Sequence, residues 1–581
     1  MKNLYTLKKY FVRYKKKLLL GMLFIILSNL GTVYVPLFLK DAINGLQNNI
    51  TTEKLLTYAL LIIGSSAFAG LFRFLIRQTI IVVSREIEFD LRSDFWKHIQ
   101  KLPLRYFQNN STGNVMAHAT NDISAVRMFL GPAVMYSLDT SVRLSIVIGI
   151  MLSLNVSLTL YSLLPLPLLS YLVYKVGKII HYKFTKIQEK FSDLTTKAQE
   201  NFSGIRVIKS YVREENEIKN FNDMSKEYLK NNMNLVKTQA LFQPLLFLIT
   251  GLSVVIIIWI GGMKVINNQM NLGEITAFIV YIGILTWPII TVGWVTNIIQ
   301  QGEASMKRLN KIYAEPFEIT DSERTDYSIK NLEGDIDFKN VSFTYGKQLP
   351  QILEKINLTI PKGSTLAIMG YTGSGKTSLI NLIPRLFDCT EGKILIGGKD
   401  IREIPLQTLR NNIGLVQQEA FLFSDTIKNN LAYGLEKYNE DKIIQAARIS
   451  HLEDEINSFP KGFETVMGER GITLSGGQKQ RVSLARALAT DPQILILDDS
   501  FSAVDTNTEE EILNNLKKIS FNRTTIIISH RISTVKNADK IIVLDNAKIA
   551  EEGTHDQLVS AGRIYAELHY KQLLEKELEE I

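Results

Sequence analysis

STLAIMGYTGSGKTS, residues 364–378, runs from an aliphatic segment straight into a glycine-rich turn that ends in Lys-Thr-Ser. It reads as a strand, a tight turn and the start of a helix. Gly370–Ser378 satisfies G-x-x-x-x-G-K-[ST] in the context that motif requires, after a strand and before a helix. The glycines let the backbone curl so that successive N–H groups face phosphate oxygens. The helix that follows adds its positive N-terminal end. Gly370, Tyr371, Thr372, Gly373, Ser374, Gly375, Lys376, Thr377 and Ser378 are therefore the expected nucleotide-binding residues. Lys376 is placed to neutralise the β- and γ-phosphates, Thr377 to put its hydroxyl on Mg²⁺, and Ser378 to lie near the α-phosphate. ATP and Mg²⁺ are the expected cofactors.

From Asp335 onward, short β-branched runs alternate with helical patterns: DIDFKNVSFTY, STLAIMG, NNIGLVQQ, QILILDDS, TTIIISH and KIIVLDNAKIAEEG. That alternation predicts an α/β domain with a largely parallel sheet. In ILILDDSFSAVD, Ile494–Leu497 read as a buried strand with Asp498 emerging at its C-terminal end. A carboxylate there can hold Mg²⁺, directly or through water.

Upstream, the composition changes. Six apolar stretches approach the ~20 residues that cross a bilayer: Leu18–Leu39, Leu55–Leu75, Ser137–Leu154, Ser157–Val176, Phe242–Val265 and Glu274–Ile298. The third and fourth touch at SLNVSL, which predicts a very short turn. The first 17 residues hold Lys2, Lys8, Lys9, Arg13, Lys15, Lys16 and Lys17 and no acid, so the N-terminus is expected in the cytoplasm. The long apolar stretch and the absence of an A-x-A-like site argue against a cleaved signal peptide. Polar segments over about 77–130 and 177–239 read as membrane helices continuing into the cytoplasm, whereas the outer connections near 41–54 and 262–273 are short. The expected organisation is a six-span membrane domain over 1–310, a linker over 311–334, a nucleotide-binding domain over 335–572 and a helical tail over 573–581. One cysteine, Cys389, excludes an intrachain disulfide and a multi-cysteine metal site. The net charge of +8 carries no nucleic-acid signature, and no nucleic-acid partner is expected.

Between the two nucleotide motifs lies LSGGQKQR, Leu474–Arg481. The order of aromatic, phosphate loop, glutamine loop, LSGGQ, aspartate strand and histidine resembles the ATP-binding cassette family. With the six preceding spans, essentially the whole chain resembles its exporter half-transporters, bacterial and of the multidrug type. The resemblance implies ATPase activity coupled to transport across the cell membrane, with the cassette in the cytoplasm. It implies that Tyr345 stacks on adenine, that Gln418 in GLVQQEAF reaches Mg²⁺ and the attacking water, and that His530 in IIISHR contacts the γ-phosphate. The family usually has proline just before that glutamine; this chain has Gln417. Leu474, Ser475, Gly476, Gly477 and Gln478 would act in trans, on the γ-phosphate held by a second cassette. Ser502, Ala503, Val504 and Asp505 resemble the loop that crosses between two sites, and Glu469 a contact to the membrane helices. YFQNNSTGNVMAHATNDI and ENFSGIRVIKSYVREENE resemble the cytoplasmic turns that press on the cassettes.

One position departs from the family pattern. A glutamate usually follows the Mg²⁺ aspartate and orients or deprotonates the attacking water; here it is Asp499. The shorter side chain sets its carboxylate back by roughly 1 Å, a displacement that can cost on the order of 100-fold in rate. The pattern resembles the degenerate half of heterodimeric exporters, and a second half-transporter is the expected partner. A homodimer that tolerates aspartate is the alternative. An amphipathic drug or lipid is the expected cargo, by analogy. A lipid or glycolipid flippase, a slow-hydrolysing regulatory or channel-like protein, and an uptake system remain alternatives. Within the spans, Asp139 and Arg143 are four apart, a spacing that lets them pair; charges within spans are functional candidates, but these lie near the expected cytoplasmic end, where an interfacial structural pair is the alternative, and Phe242, Phe247, Tyr281 and Trp287 are candidates either for a cavity lining or for a lipid-facing surface.

Overall fold

The computed structural model describes residues 2–48, 50–346, 348–468, 474–519 and 523–579. They fall into two compact units, Met1–Gln100 with Thr112–Glu315, and Lys101–Ser111 with Pro316–Ile581. Glu469 lies outside the described residues.

Among the described residues, the first unit contains six helices long and apolar enough to cross a membrane: α1 (Lys15–Gln47), α2 (Thr52–Ile99), α3 (Thr112–Leu154), α4 (Val156–Ser203), α5 (Glu214–Ile266) and α6 (Leu272–Tyr313). Most of each apolar stretch expected from sequence falls within one of them, and the polar segments extend these helices up to breaks at 100–111 and 204–213, each of which holds one short helix, Leu104–Asn109 and Ile205–Ser210. The SLNVSL turn is a single residue: Asn155 is extended, and its side chain caps α4 by accepting the Leu158 N–H at 3.0 Å. Asn271 and Glu274 form a capping box that starts α6. The basic N-terminal flank has a local role as well. Lys9, Arg13 and Lys17, four apart, meet Asp94, Asp90 and Glu86, also four apart on α2, at 2.8, 2.7 and 2.6 Å.

Two expectations for the membrane unit need correction. Asp139 and Arg143 are not near a helix end. Their neighbours are Asn29 and Thr291, each well inside its own apolar stretch. The stretch MFLGPAVMY, residues 128–136, is already apolar and helical, so the third span begins before Ser137. Tyr281 presents no exposed face to line a cavity with: it is fully buried between helices, its hydroxyl donating to the Val33 carbonyl at 2.9 Å.

The second unit has two sheets. Strands β1 (Ile336–Phe343), β2 (Leu353–Ile360), β4 (Glu391–Ile396) and β5 (Lys399–Asp400) form an antiparallel sheet in the order β2-β1-β4-β5. The other sheet, in the order β10-β9-β3-β8-β7-β6, contains β3 (Thr365–Gly370), β6 (Ile413–Val416), β7 (Ile494–Asp498), β8 (Thr524–Ile528), β9 (Lys540–Asp545) and β10 (Lys548–Gly553). It is parallel except for β10, which folds back on β9 through Asn546 and Ala547.

The parallel strands β7 and β8 are buried at every position, which is why they read as unbroken apolar runs. Ile494 and Ile496 pack on one side with Ile336 and Phe338 of the antiparallel sheet, and Leu495 and Leu497 on the other with Val482 and Leu484. The segment expected as a linker is not free chain. It is helix to Tyr313, and beyond that the Asp326 N–H donates to the Glu403 carbonyl at 2.7 Å, while Leu332 is in the core.

Candidate nucleotide site

The order β3-β8-β7-β6 places four chain reversals side by side at the carboxyl edge of a parallel sheet, where such sheets bind ligands. β3 leads into the Gly370–Ser378 turn and then helix α7 (Lys376–Leu382). β8 is followed by Ser529 and His530, β7 ends on Asp498, and Gln418 is two residues beyond β6. A cleft of about 320 Å³ is lined by Tyr345, Thr372, Gly373, Gly375, Lys376, Thr377, Ser378, Gln418, Asp498, Asp499 and His530. Gly370, Tyr371 and Ser374 form the turn itself, closed by the Ser374 N–H on the Tyr371 carbonyl at 3.2 Å.

The turn needs glycine at both ends. Gly370 has φ +143°, and a Cβ there would lie 2.2 Å from the Leu544 carbonyl oxygen; Gly375 has φ +97° and 2.9 Å to that of Ile352. The Lys376 ammonium is held inside the turn, donating to the carbonyls of Gly370 and Tyr371 at 2.9 and 2.8 Å. Burial lowers its pKa, against the pull of Asp498 and Asp499. Thr377 Oγ1 donates to Asp498 Oδ2 at 2.9 Å. Burial pushes the Asp498 carboxyl above its ordinary value; the Thr377 hydrogen bond opposes this and the Asp499 charge adds to it. A buried carboxylate beside a hydroxyl, a second carboxylate and an amide is a hard-oxygen donor set that suits Mg²⁺. Tyr345 is fixed at the edge of this cleft: its hydroxyl is 2.9 Å from Ser378 Oγ, and its ring stands edge-on to Phe343 and Phe387.

Asp499 adopts a left-handed conformation, φ +44°, with its N–H on the Ile528 carbonyl at 2.9 Å. Aspartate tolerates that region better than most residues. Its own carbonyl accepts the Ser502 hydroxyl at 3.1 Å.

Leu474–Gln478 do not line the cleft. Ser475 caps helix α8 (Gly476–Ala489) in a capping box with Gln478, leaving a helix N-terminus with glycines at its first turn. Gly477 packs against Ser502–Asp505, the segment expected as the crossing loop: a Cβ there would lie 2.6 Å from the Ala503 carbonyl oxygen. Gln480, which the motif reading did not single out, joins the two segments. Its amide donates to Ser502 Oγ at 2.9 Å and accepts from the Ala503 N–H at 3.0 Å. Asp505 ends the loop and caps the next helix, accepting from the Thr508 N–H at 2.9 Å. Gly477→Ala should therefore push α8 and the crossing loop apart, at a cost of about 1–3 kcal/mol. Measured by equilibrium ATP binding and Mg-ATPase rate in the Asp499→Glu background, it should leave binding intact and lower turnover.

Gln572, which carries no motif signal, also supports the site. It lies on helix α9 (Ile564–Glu579); its Nε2 donates to the His530 carbonyl, and its Oε1 accepts the Ile532 N–H at 2.9 Å. Arg531, between them, reaches the Val504 carbonyl at 3.1 Å and the buried Glu509. The 42-residue separation of Gln572 from His530 leaves no local signal in the sequence. Gln572→Ala should lower turnover by up to about tenfold, the value of one or two neutral hydrogen bonds, with ATP affinity nearly unchanged. The check is the same pair of measurements.

Of the two turns expected to press on the cassettes, Lys101–Ser111 groups with the second unit, where Arg105 meets Glu318 at 3.2 Å. The segment 200–217 groups with the first.

Comparison with known proteins agrees with this arrangement along the chain. A family model described as the ABC transporter transmembrane region matches residues 18–289, and one described as ABC transporter matches 353–502. A probable multidrug resistance ABC transporter ATP-binding/permease protein of Bacillus subtilis is 35% identical over 98% of this chain and 96% of its own length. An ATP-dependent lipid A-core flippase of Desulfotalea psychrophila is 38% identical over 84% of this chain and 85% of its own. The solved structure of a bacterial Atm1-family ABC exporter with ATP bound superposes with a TM-score of 0.80 at 27% identity, over 96% of this chain and 99% of that one. A phosphate turn, a carboxylate pair and a signature helix on one α/β unit, joined to six membrane-length helices, thus have full-length counterparts: the chain belongs to the ABC transporter family, as an exporter whose ATPase domain drives transport across the membrane.

Proposed function

We propose that this chain is the weakly hydrolysing half of a heterodimeric exporter of amphipathic compounds in the bacterial cell membrane, with its N-terminus and its 335–572 domain in the cytoplasm. The observation that carries the reading is Asp499, a carboxylate one methylene shorter than the family's usual glutamate, beside an otherwise complete set.

Lys376 and the N–H groups of the turn bind the ATP phosphates, and Tyr345 takes the adenine. Thr377, Asp498 and Gln418 would hold Mg²⁺, which when bound offsets the negative charge of the transferring phosphoryl group. Gln418 and His530 orient the water and the γ-phosphate. Asp499 accepts the water's proton from a set-back position. Leu474–Gln478 and the crossing loop Ser502–Asp505 complete the site on the partner chain, where the faster turnover occurs. ATP binding draws the two domains together, hydrolysis releases them, and the membrane helices alternate between faces.

A homodimeric lipid flippase is the second reading. It is favoured by the presence of Gln418, His530 and both carboxylates in one cleft, and by the 38% identity to the lipid A-core flippase. Inverted membrane vesicles test the exporter reading itself. In vesicles carrying this chain with its partner, ATP-dependent accumulation of an amphipathic dye, absent when a non-hydrolysable ATP analogue replaces ATP, is expected; accumulation only in right-side-out vesicles would make the chain an importer.

A further inference from the structure

We propose that the polar cluster Asn29–Asp139–Arg143 is the head-group subsite of the transported amphiphile, and that it selects an acceptor head, a phosphate or carboxylate, over an ammonium. The proposal rests on the exporter reading and adds the substrate class.

The cluster joins α1 and α3. Asn29 Nδ2 donates to Asp139 Oδ1 at 2.7 Å, Arg143 Nε donates to Asn29 Oδ1 at 2.8 Å, and Arg143 Nη2 donates to Asp139 Oδ2 at 2.9 Å and Oδ1 at 3.3 Å. Asn29 is fully buried, and the Arg143 side chain is only 13% exposed. Charged groups at membrane depth are costly and mark function by default. The cluster opens on a cavity of about 390 Å³ whose other walls include Tyr136, Trp287, Thr291 and Trp294. Trp287 and Ile290 also line a second, larger space of about 690 Å³ with Phe242, Leu246 and Phe247. A head at the cluster thus has an aromatic and aliphatic track beside it for its apolar body.

Hydrogen-bond capacity decides which head fits. Asp139 already accepts three N–H contacts, which leaves little room on the carboxylate. Among the described residues, Arg143 Nη1 meets no acceptor, so its two N–H groups remain. Arg143 is itself one of the residues that line the cavity, which puts those donors within reach of a ligand there. A phosphate or carboxylate uses those donors in the planar geometry that guanidinium favours; an ammonium must first displace Arg143 from Asp139.

Tryptophan emission tests this directly. The chain has four tryptophans, and with Trp96→Phe and Trp259→Phe only the two cavity residues report. In phosphatidylcholine nanodiscs without ATP, dodecyl phosphate should quench with at least about tenfold higher affinity than dodecyltrimethylammonium, the factor a charge-assisted hydrogen bond supplies. The double change Asp139→Asn with Arg143→Gln removes both charges together and should bring the two affinities within about twofold. Arg143→Lys keeps the charge and loses the planar fork; it should show an intermediate preference even if the double variant fails to fold. Discs containing phosphatidic acid separate the sources: quenching before any addition identifies bilayer lipid as the ligand, and its absence identifies a compound entering from solution. Equal affinities, an ammonium preference, or a phosphate preference that survives Arg143→Lys unchanged would overturn the proposal. Dye accumulation in inverted vesicles is independent of head selectivity, so absence of a phosphate preference before Asp139 and Arg143 are changed, with transport retained, refutes the subsite and leaves the exporter reading standing.

Discussion

Lys376→Ala should abolish ATP-driven work by this chain's own site. The ammonium sits inside the phosphate turn on two backbone carbonyls, 2.9 and 2.8 Å away, within reach of both carboxylates' field. Its burial is costly unless an anion is there to be met, and a γ-phosphate is that anion. In the Asp499→Glu background, where turnover stands clear of background, removing one positioned positive donor from a phosphoryl-transfer site should cost on the order of 10²–10³ in turnover. ATP affinity should fall by about tenfold or more, the worth of a charge-assisted hydrogen bond to phosphate. The fold should survive, because the side chain is not part of the apolar clusters between the sheets. Equilibrium nucleotide binding and steady-state Mg-ATPase rate check both numbers.

Asp499→Glu should act in the opposite direction. The residue's backbone is pinned by its N–H on Ile528 and by Ser502 on its carbonyl, so the carboxylate cannot advance by a backbone shift without breaking those bonds. A methylene advances it instead. Roughly 1 Å of displacement is worth up to on the order of 100-fold when a base must meet a water in a fixed place. Against this stands the left-handed backbone, φ +44°, which glutamate adopts less readily than aspartate, at a cost of about 1 kcal/mol. That cost falls on folding and not on the barrier, so the turnover gain should appear with a small loss of thermal stability. Parallel Mg-ATPase and thermal-unfolding measurements separate the two effects.

The parts of the site that sequence made legible are those set by short-range rules. The turn Gly370–Ser378 declares itself because glycine positions and Lys-Thr spacing are fixed by backbone geometry around a phosphate. Asp498 and His530 were legible because buried parallel strands are unbroken apolar runs, so their ends are visible. The antiparallel sheet was not, since β1 and β2 read like any other short strands and their partners are chosen by the tertiary fold. Gln480 and Gln572 were invisible for a related reason: an amide that bonds to backbone two elements away leaves no pattern. The depth of Asp139 and Arg143 is not legible from the polar Ser137–Thr140 step alone, because MFLGPAVMY before it is equally apolar and carries the helix further back.

The most direct measurement is the Mg-ATPase rate of the chain purified alone in lipid, beside Asp499→Glu and Lys376→Ala. ATP binding with turnover close to the Lys376→Ala background, restored by Asp499→Glu or by a co-purified glutamate-bearing half-transporter, is the expected result. Turnover at an ordinary exporter rate, with Asp499→Glu adding little, would make Asp499 an adequate base and the chain a working homodimer, and would contradict the heterodimer.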